Sequence, residues 1–132
     1  MPDTLTITGS DKGLVKVLHL AGKLDGQTQT ALMDVARRAQ AAGARCLLID
    51  LTDVDFIAVA GLAALQNLYQ MFTPRSAIEA WDRANHGEPY KSAYLKLAGA
   101  SPSVYYVLNI AGFLHNIPIY PDLDRALESF SS

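Results

Sequence analysis

Asp50, Asp53 and Asp55 crowd one short stretch of the chain, and carboxylates so placed could hold a divalent cation or work as an acid and base pair in a cleft. His19, His86, His115 and the single Cys46 complete the set of side chains that could ligate a metal or serve as base and nucleophile. None of these histidines stands at metal-ligand spacing from another or from Cys46, so no metal site is expected. The acidic group itself reads as turn residues around a strand end. Catalysis needs a nucleophile with a base, or paired carboxylates, converging on one cleft, and no such constellation is legible. The chain lacks a Gly-x-x-x-x-Gly-Lys-Ser/Thr loop and a Gly-x-Gly-x-x-Gly fingerprint, so no nucleotide or other cofactor is expected, and the chain reads as a non-enzyme.

The elements around these residues carry more information. Cys46-Leu47-Leu48-Ile49-Asp50-Leu51 is an apolar run too short for a helix of its own, which predicts a central strand buried on both faces. After Phe56-Ile57 the apolar residues Leu62, Leu65, Leu68, Tyr69 and Phe72 recur at helical spacing. A strand therefore hands over to a helix at Ala58-Val59-Ala60-Gly61. Its first turn carries small apolar residues where polar ones would be usual.

Upstream, Leu5 to Thr8 and Leu14 to Leu20 alternate apolar with polar, and Gly9 to Gly13 between them is turn chemistry, so a β-hairpin is predicted. Ala21-Gly22 closes its second strand. Ala31, Leu32, Val35, Ala36 and Ala39 then mark a first helix ending at Gly43, and its return to Cys46 makes a parallel crossover. Ala93 to Ala98 reads as a fourth strand, and Ser101-Pro102 opens a helix bearing Val104, Val107, Leu108 and Ala111. Ile117 to Tyr120, with its proline, suits an edge strand, and Asp122 caps a last helix through Ala126, Leu127 and Phe130. The order predicts one α/β domain over residues 1–132, a mixed sheet of about five strands with about four helices largely on one side. Between Phe72 and Tyr94 the chain has room for an added segment, about 73–92. Thr73-Pro74 starts a short extra helix there with Ala77, Ile78, Trp81 and Ala84 on one face. Trp81, the only tryptophan, either packs this addition onto the domain or anchors a protein partner.

At 132 residues with half of them apolar, the chain is long enough for a single core without disulfides or metals. A net charge of −2, with Arg37-Arg38 the only adjacent basic pair, argues against sequence-independent nucleic-acid binding. That pair reads as the solvated face of a helix. Cys46, in the most hydrophobic strand, reads as a small core residue in a reducing compartment. No signal peptide and no membrane-spanning run is legible, so a soluble cytoplasmic protein is expected.

Together with Gly22-Lys23-Leu24-Asp25, the segment Phe56-Ile57-Ala58-Val59-Ala60-Gly61-Leu62 resembles the STAS family, best known for bacterial anti-sigma factor antagonists. That family usually carries Phe-Ile-Asp-Ser-Ser/Ala-Gly-Leu at this turn. Phe56, Ile57, Gly61 and Leu62 match as scaffold positions, whereas the family's aspartate falls on Ala58 and its phosphorylated residue on Val59. Ala98 to Val104 and Leu108 to Phe113 extend the resemblance over most of the chain and imply the SpoIIAA-like fold. The resemblance implies a non-enzymatic regulatory module that docks a kinase-like anti-sigma factor or another signalling protein. Its surface would take in Asp25 and the start of the second helix, Ala58, Val59, Ala60, Gly61 and Leu62. Asp25 has an equally good reading as a cap for the first helix. Valine has no hydroxyl, so phosphorylation at this turn is not expected, and docking would be constitutive or regulated elsewhere, with the 73–90 insertion a candidate for specificity. The alternative implied by the family is a soluble subunit of a lipid or anion transport complex, or of a ligand-sensing one. A homodimer is compatible with either.

Overall fold

A computed structural model describes residues 5–130. β1 (Leu5–Lys12) and β2 (Val15–Leu24) form the antiparallel hairpin. Pairing runs on to Lys12↔Val15, so the turn narrows to Gly13-Leu14 instead of filling 9–13. Gly13 adopts φ 65, the left-handed conformation that a two-residue hairpin turn requires. α1 (Gln29–Ala41) crosses back to β3 (Cys46–Ile57), followed by α2 (Val59–Phe72), α3 (Arg75–Ala84) and β4 (Leu95–Ala98). α4 (Pro102–Ile110), a 3-10 turn at Phe113–His115, β5 (Ile119–Tyr120) and α5 (Leu123–Ser129) complete the order. The sheet runs β1-β2-β3-β4-β5, antiparallel only at the first pair. The expected caps form: Ser101 Oγ accepts from the Val104 N–H at 3.3 Å, and Asp122 Oδ1 accepts from the Arg125 N–H at 2.9 Å.

β3 lies at the centre because its neighbours leave it no free face. Leu47, Ile49 and Leu51 join Leu18 and Leu20 of β2 and Leu65 and Leu68 of α2 in the main core. On the opposite face Leu48 meets Val17, Ala98 and Ala126, flanked by Leu127 and Phe130. α5 alone covers this second face. It is fastened there by Lys96, only 7% exposed, whose Nζ donates to the Ser129 carbonyl at 3.2 Å and hydroxyl at 2.8 Å and sits 4.3 Å from the Phe130 ring centroid. Those contacts offset the cost of removing an ammonium from water. Cys46 is half-buried at the edge of this face, and not a full core residue; burial pushes its thiol up, which disfavours the thiolate.

β3 also continues beyond its apolar run, through Asp53 and Asp55 to Ile57, where the sequence suggests turn residues. Past the reach of α5 a strand needs only one buried face, and Val54 and Ile57 supply it. Phe56 falls on the other side and is 51% exposed, so this match to the family pattern does not pack in the core.

The segment 73–92, expected as an addition, makes several contacts within itself. No residue of α3 is fully buried; Ile78 packs at the core margin and Ala84 is exposed. Trp81 Nε1 donates to the Glu88 carbonyl at 3.0 Å, and its ring meets Tyr90 edge-on at 5.9 Å. At the base, the buried hydroxyls of Thr73 and Ser92 share a hydrogen bond of 2.7 Å.

Candidate functional site

β2, β3 and β4 are parallel and each hands over to a helix, so the starts of α1, α2 and α4 gather at one edge of the sheet, the usual place for a site in such folds. The α2 turn is held there by β2. The Ala58 N–H donates to the Leu24 carbonyl at 2.9 Å, and the helix starts at Val59 with no side-chain cap. Ala58 thus forgoes about 1 kcal/mol that a Ser, Asp or Asn cap would supply. Gly61 is buried, and a Cβ there would lie 2.5 Å from the Leu24 carbonyl oxygen and 3.1 Å from Ile57 Cγ2. Glycine is what lets the helix lie this close to β2.

The β2–α1 loop comes to the same place, since a Cβ on Gly26 would contact Ala60 Cβ at 3.8 Å. In that loop Asp25 Oδ1 accepts from the Gln27 N–H at 2.9 Å and the Thr28 N–H at 3.1 Å, and the Asp25 carbonyl accepts from the first helical N–H, Gln29, at 2.9 Å. The Thr28 amide, helped by that of Gln27, holds the Asp25 carboxyl below its usual range. Asp25 therefore shapes the entry to α1, in the loop that meets the α2 turn through Gly26. Val59 is 83% exposed, Ala58, Ala60 and Leu62 are half-buried, and Leu62 packs against the core. The structure brings Asp25 and Ala58 to Leu62 together. It does not bring Trp81: α2 spans about 20 Å and separates the two regions.

Two features were not anticipated. Tyr105, Tyr106 and Ile110 of α4 are exposed although Val104 and Leu108 are buried. Of the expected stripe Val104, Val107, Leu108 and Ala111, Val107 is half-buried and Ala111 is exposed past the helix end, and apolar residues on the solvent side of the same helix disturb the spacing little. The second feature is a polar group on the open sheet face beyond α5. His19 Nδ1 lies 2.9 Å from Asp50 Oδ2, and His19 Nε2 lies 2.9 Å from Asp53 Oδ2. Asp50 Oδ1 accepts from the Thr52 hydroxyl at 2.6 Å and amide at 3.1 Å. Gly99, at φ 73, sits so close that a Cβ would overlap Thr52 Oγ1. Of Asp50, Asp53 and Asp55, the first two are thus bound to one histidine. Among the described residues no group of His, Cys, Asp and Glu is arranged to hold a metal ion.

Hydrogen bonding from Asp50 leads the effects that raise the His19 pKa above its ordinary value, against the opposing effect of burial. Burial would push the Asp50 carboxyl up, but the Thr52 hydroxyl and the His19 ring outweigh it and hold it below its usual range. A raised histidine contributes stability present below about pH 6.5 and lost as pH rises through its folded value. A lowered carboxylate contributes stability present above about pH 4 and lost as pH falls. The stability advantage of the native chain over His19→Gln should therefore be largest between about pH 4 and 6.5, shrinking on either side. Urea midpoints of both chains across pH check this; an advantage that grows above pH 8 would contradict it.

This turn on this fold defines a STAS domain, and the STAS family model matches residues 7–78, just over half the chain. The chain belongs to the STAS domain family. It is 28% identical over 127 residues to Rv2638 of Mycobacterium tuberculosis, named for an anti-anti-sigma role, covering 94% of this chain and 74% of that protein. It is 36% identical over 64 residues to the anti-sigma-F factor antagonist RsfB of the same species, covering 48% of this chain and 52% of RsfB. The crystal structure of an anti-sigma factor antagonist from Mycobacterium paratuberculosis superposes with a TM-score of 0.79 at 24% identity, covering 100% of this chain and 98% of the other. Among the described residues no helix is long and apolar enough to cross a membrane.

Proposed function

We propose that this chain is a non-enzymatic regulatory module that docks a kinase-like anti-sigma factor through the start of α2, in the bacterial cytoplasm. The single observation that carries this reading is Val59, 83% exposed at the head of a turn that Gly61 locks against β2. An exposed apolar side chain on a rigid turn suits insertion into a partner's pocket. The names of the two mycobacterial relatives support the choice of partner class.

With Ala58, Val59 and Ala60 in the turn, the partner meets a surface that cannot acquire a phosphate there. A phosphate at a helix start adds nearly two negative charges and can dismiss a docked partner. Docking at this turn is constitutive. The test is calorimetric titration of the chain against each kinase-like anti-sigma protein encoded in its genome, with and without ATP. A complex whose affinity is unchanged by prior incubation with ATP is expected. Absence of binding to every one, or loss of binding on incubation with ATP, would overturn the reading.

A further inference from the structure

Asp50 and Asp53 are three apart in β3, and in a regular strand they would project from opposite faces. They project together because β3 carries an extra residue between them: His19 pairs with Asp50 and Ala21 with Asp53, two residues of β2 against three of β3. A second extra residue follows, between the pairs Gly22↔Val54 and Lys23↔Phe56. The first bulge turns two carboxylates to one side, a repulsive arrangement on its own. His19 stands between them with one ring nitrogen on each. A neutral imidazole has one N–H, so donating to both carboxylates takes the doubly protonated ring.

We propose that His19 is a proton-operated clamp on the bulged exit of β3, fixing the segment Thr52 to Ile57 that delivers the α2 turn when protonated and releasing it when not. Asp50 has a side chain 10% exposed and is held by Thr52 as well; Asp53 is 60% exposed. Loss of the proton therefore leaves the Nδ1–H on Asp50 and turns a bare Nε2 lone pair toward the Asp53 carboxylate. That contact opens, and the bulge loses its side-chain tie to β2 at Asp53. The proton goes to solvent, which the part-exposed ring already meets. The nearest other charged side chain of β2 on this face is Lys23, which pairs with Phe56 beyond the second bulge. β1 presents Thr8 opposite His19, β2 itself places Val17 and Ala21 on either side, and β4 presents Ala98 and Gly99 beside Asp50. Lys96 of β4, under α5, is turned to Ser129 and the Phe130 ring.

Any effect on partner docking rests on the function proposed above, but the clamp is testable on the free chain. The experiment is an NMR titration of the whole chain from pH 5 to 9, following the His19 ring and the backbone amides from Thr52 to Val59. His19 should titrate above about pH 6.5, and those amides should inflect at the same pH. In Asp53→Asn the His19 midpoint should fall and the shared inflection should vanish, with the rest of the spectrum unchanged. His19 titrating at or below the ordinary value would overturn the clamp. So would a raised midpoint with amides 52 to 59 indifferent to it, which would leave His19 a static ion-pair partner. Should Asp53→Asn disturb the fold, Asp53→Glu serves the same purpose: a longer carboxylate should keep the raised midpoint and shift the amide inflection with it, and a flat amide response would again count against the clamp.

Discussion

Gly61→Val is expected to lower the thermal midpoint more than any other single change at the docking turn. A Cβ at this position meets the Leu24 carbonyl at 2.5 Å, and that oxygen also accepts the Ala58 N–H, so neither β2 nor the turn can yield without breaking the other's hydrogen bond. Leu24 and Ile57 close the remaining sides, and both are buried. Overpacking of this kind costs about 1 to 3 kcal/mol, and more where backbone must move. Alanine is a better helix former than glycine by about 1 kcal/mol, so Gly61→Ala sets the steric cost of a single Cβ against that gain. It too should be destabilising, by less than valine. Circular dichroism melts of the three chains decide the matter; a midpoint for Gly61→Ala above that of the native chain would mean that α2 does not lie against β2 as described.

Val59→Asp should move two observables in opposite directions. Val59 is the first residue of a helix with no side-chain cap and no acidic residue in its first turn, so a carboxylate there meets unpaired N–H groups and the positive end of the helix dipole. Stability should rise by about 0.3 to 1 kcal/mol. Partner affinity should fall by roughly 100-fold, because a carboxylate carried into an apolar pocket is stripped of water without a matched cation, at a cost of about 3 kcal/mol. Melting and titration of one preparation give both numbers. Unchanged affinity in a chain that melts at or above the native midpoint would place the partner on another surface.

How much of this was legible in the sequence differs by element. The central strand, the α2 stripe, the caps at Ser101 and Asp122 and the stop at Gly43 follow from local chemistry, and all stand where that chemistry puts them. The length of β3 was not legible, because acidic residues resemble a turn unless the neighbouring strand is known to present a histidine. His19 and Asp50 are far apart in sequence and acquire their relation only through parallel register. The exposure of Phe56 has the same origin: two bulges shift the strand's alternation, and a period of two read along the chain cannot reveal them. For the candidate site, the identities of Ala58 to Leu62 stood out in the sequence. Their division of labour, with Gly61 and Leu62 holding position while Val59 is presented outward, came from burial.

The hydroxyl bond between Thr73 and Ser92 joins the two ends of the segment that carries α3. The two ends of an eighteen-residue excursion meet in the core at this bond, and the excursion's further ties to the domain are Ile78 at the core margin and the Tyr90 carbonyl, which accepts from Asn116 Nδ2 at 2.8 Å. Ser92 Oγ also accepts the Tyr94 and Leu95 N–H groups, so the strand that follows starts in register independently of the excursion. Such a junction acts as a socket. Residues 74–91 could therefore be replaced by a short linker while Ser92 still starts β4 in register.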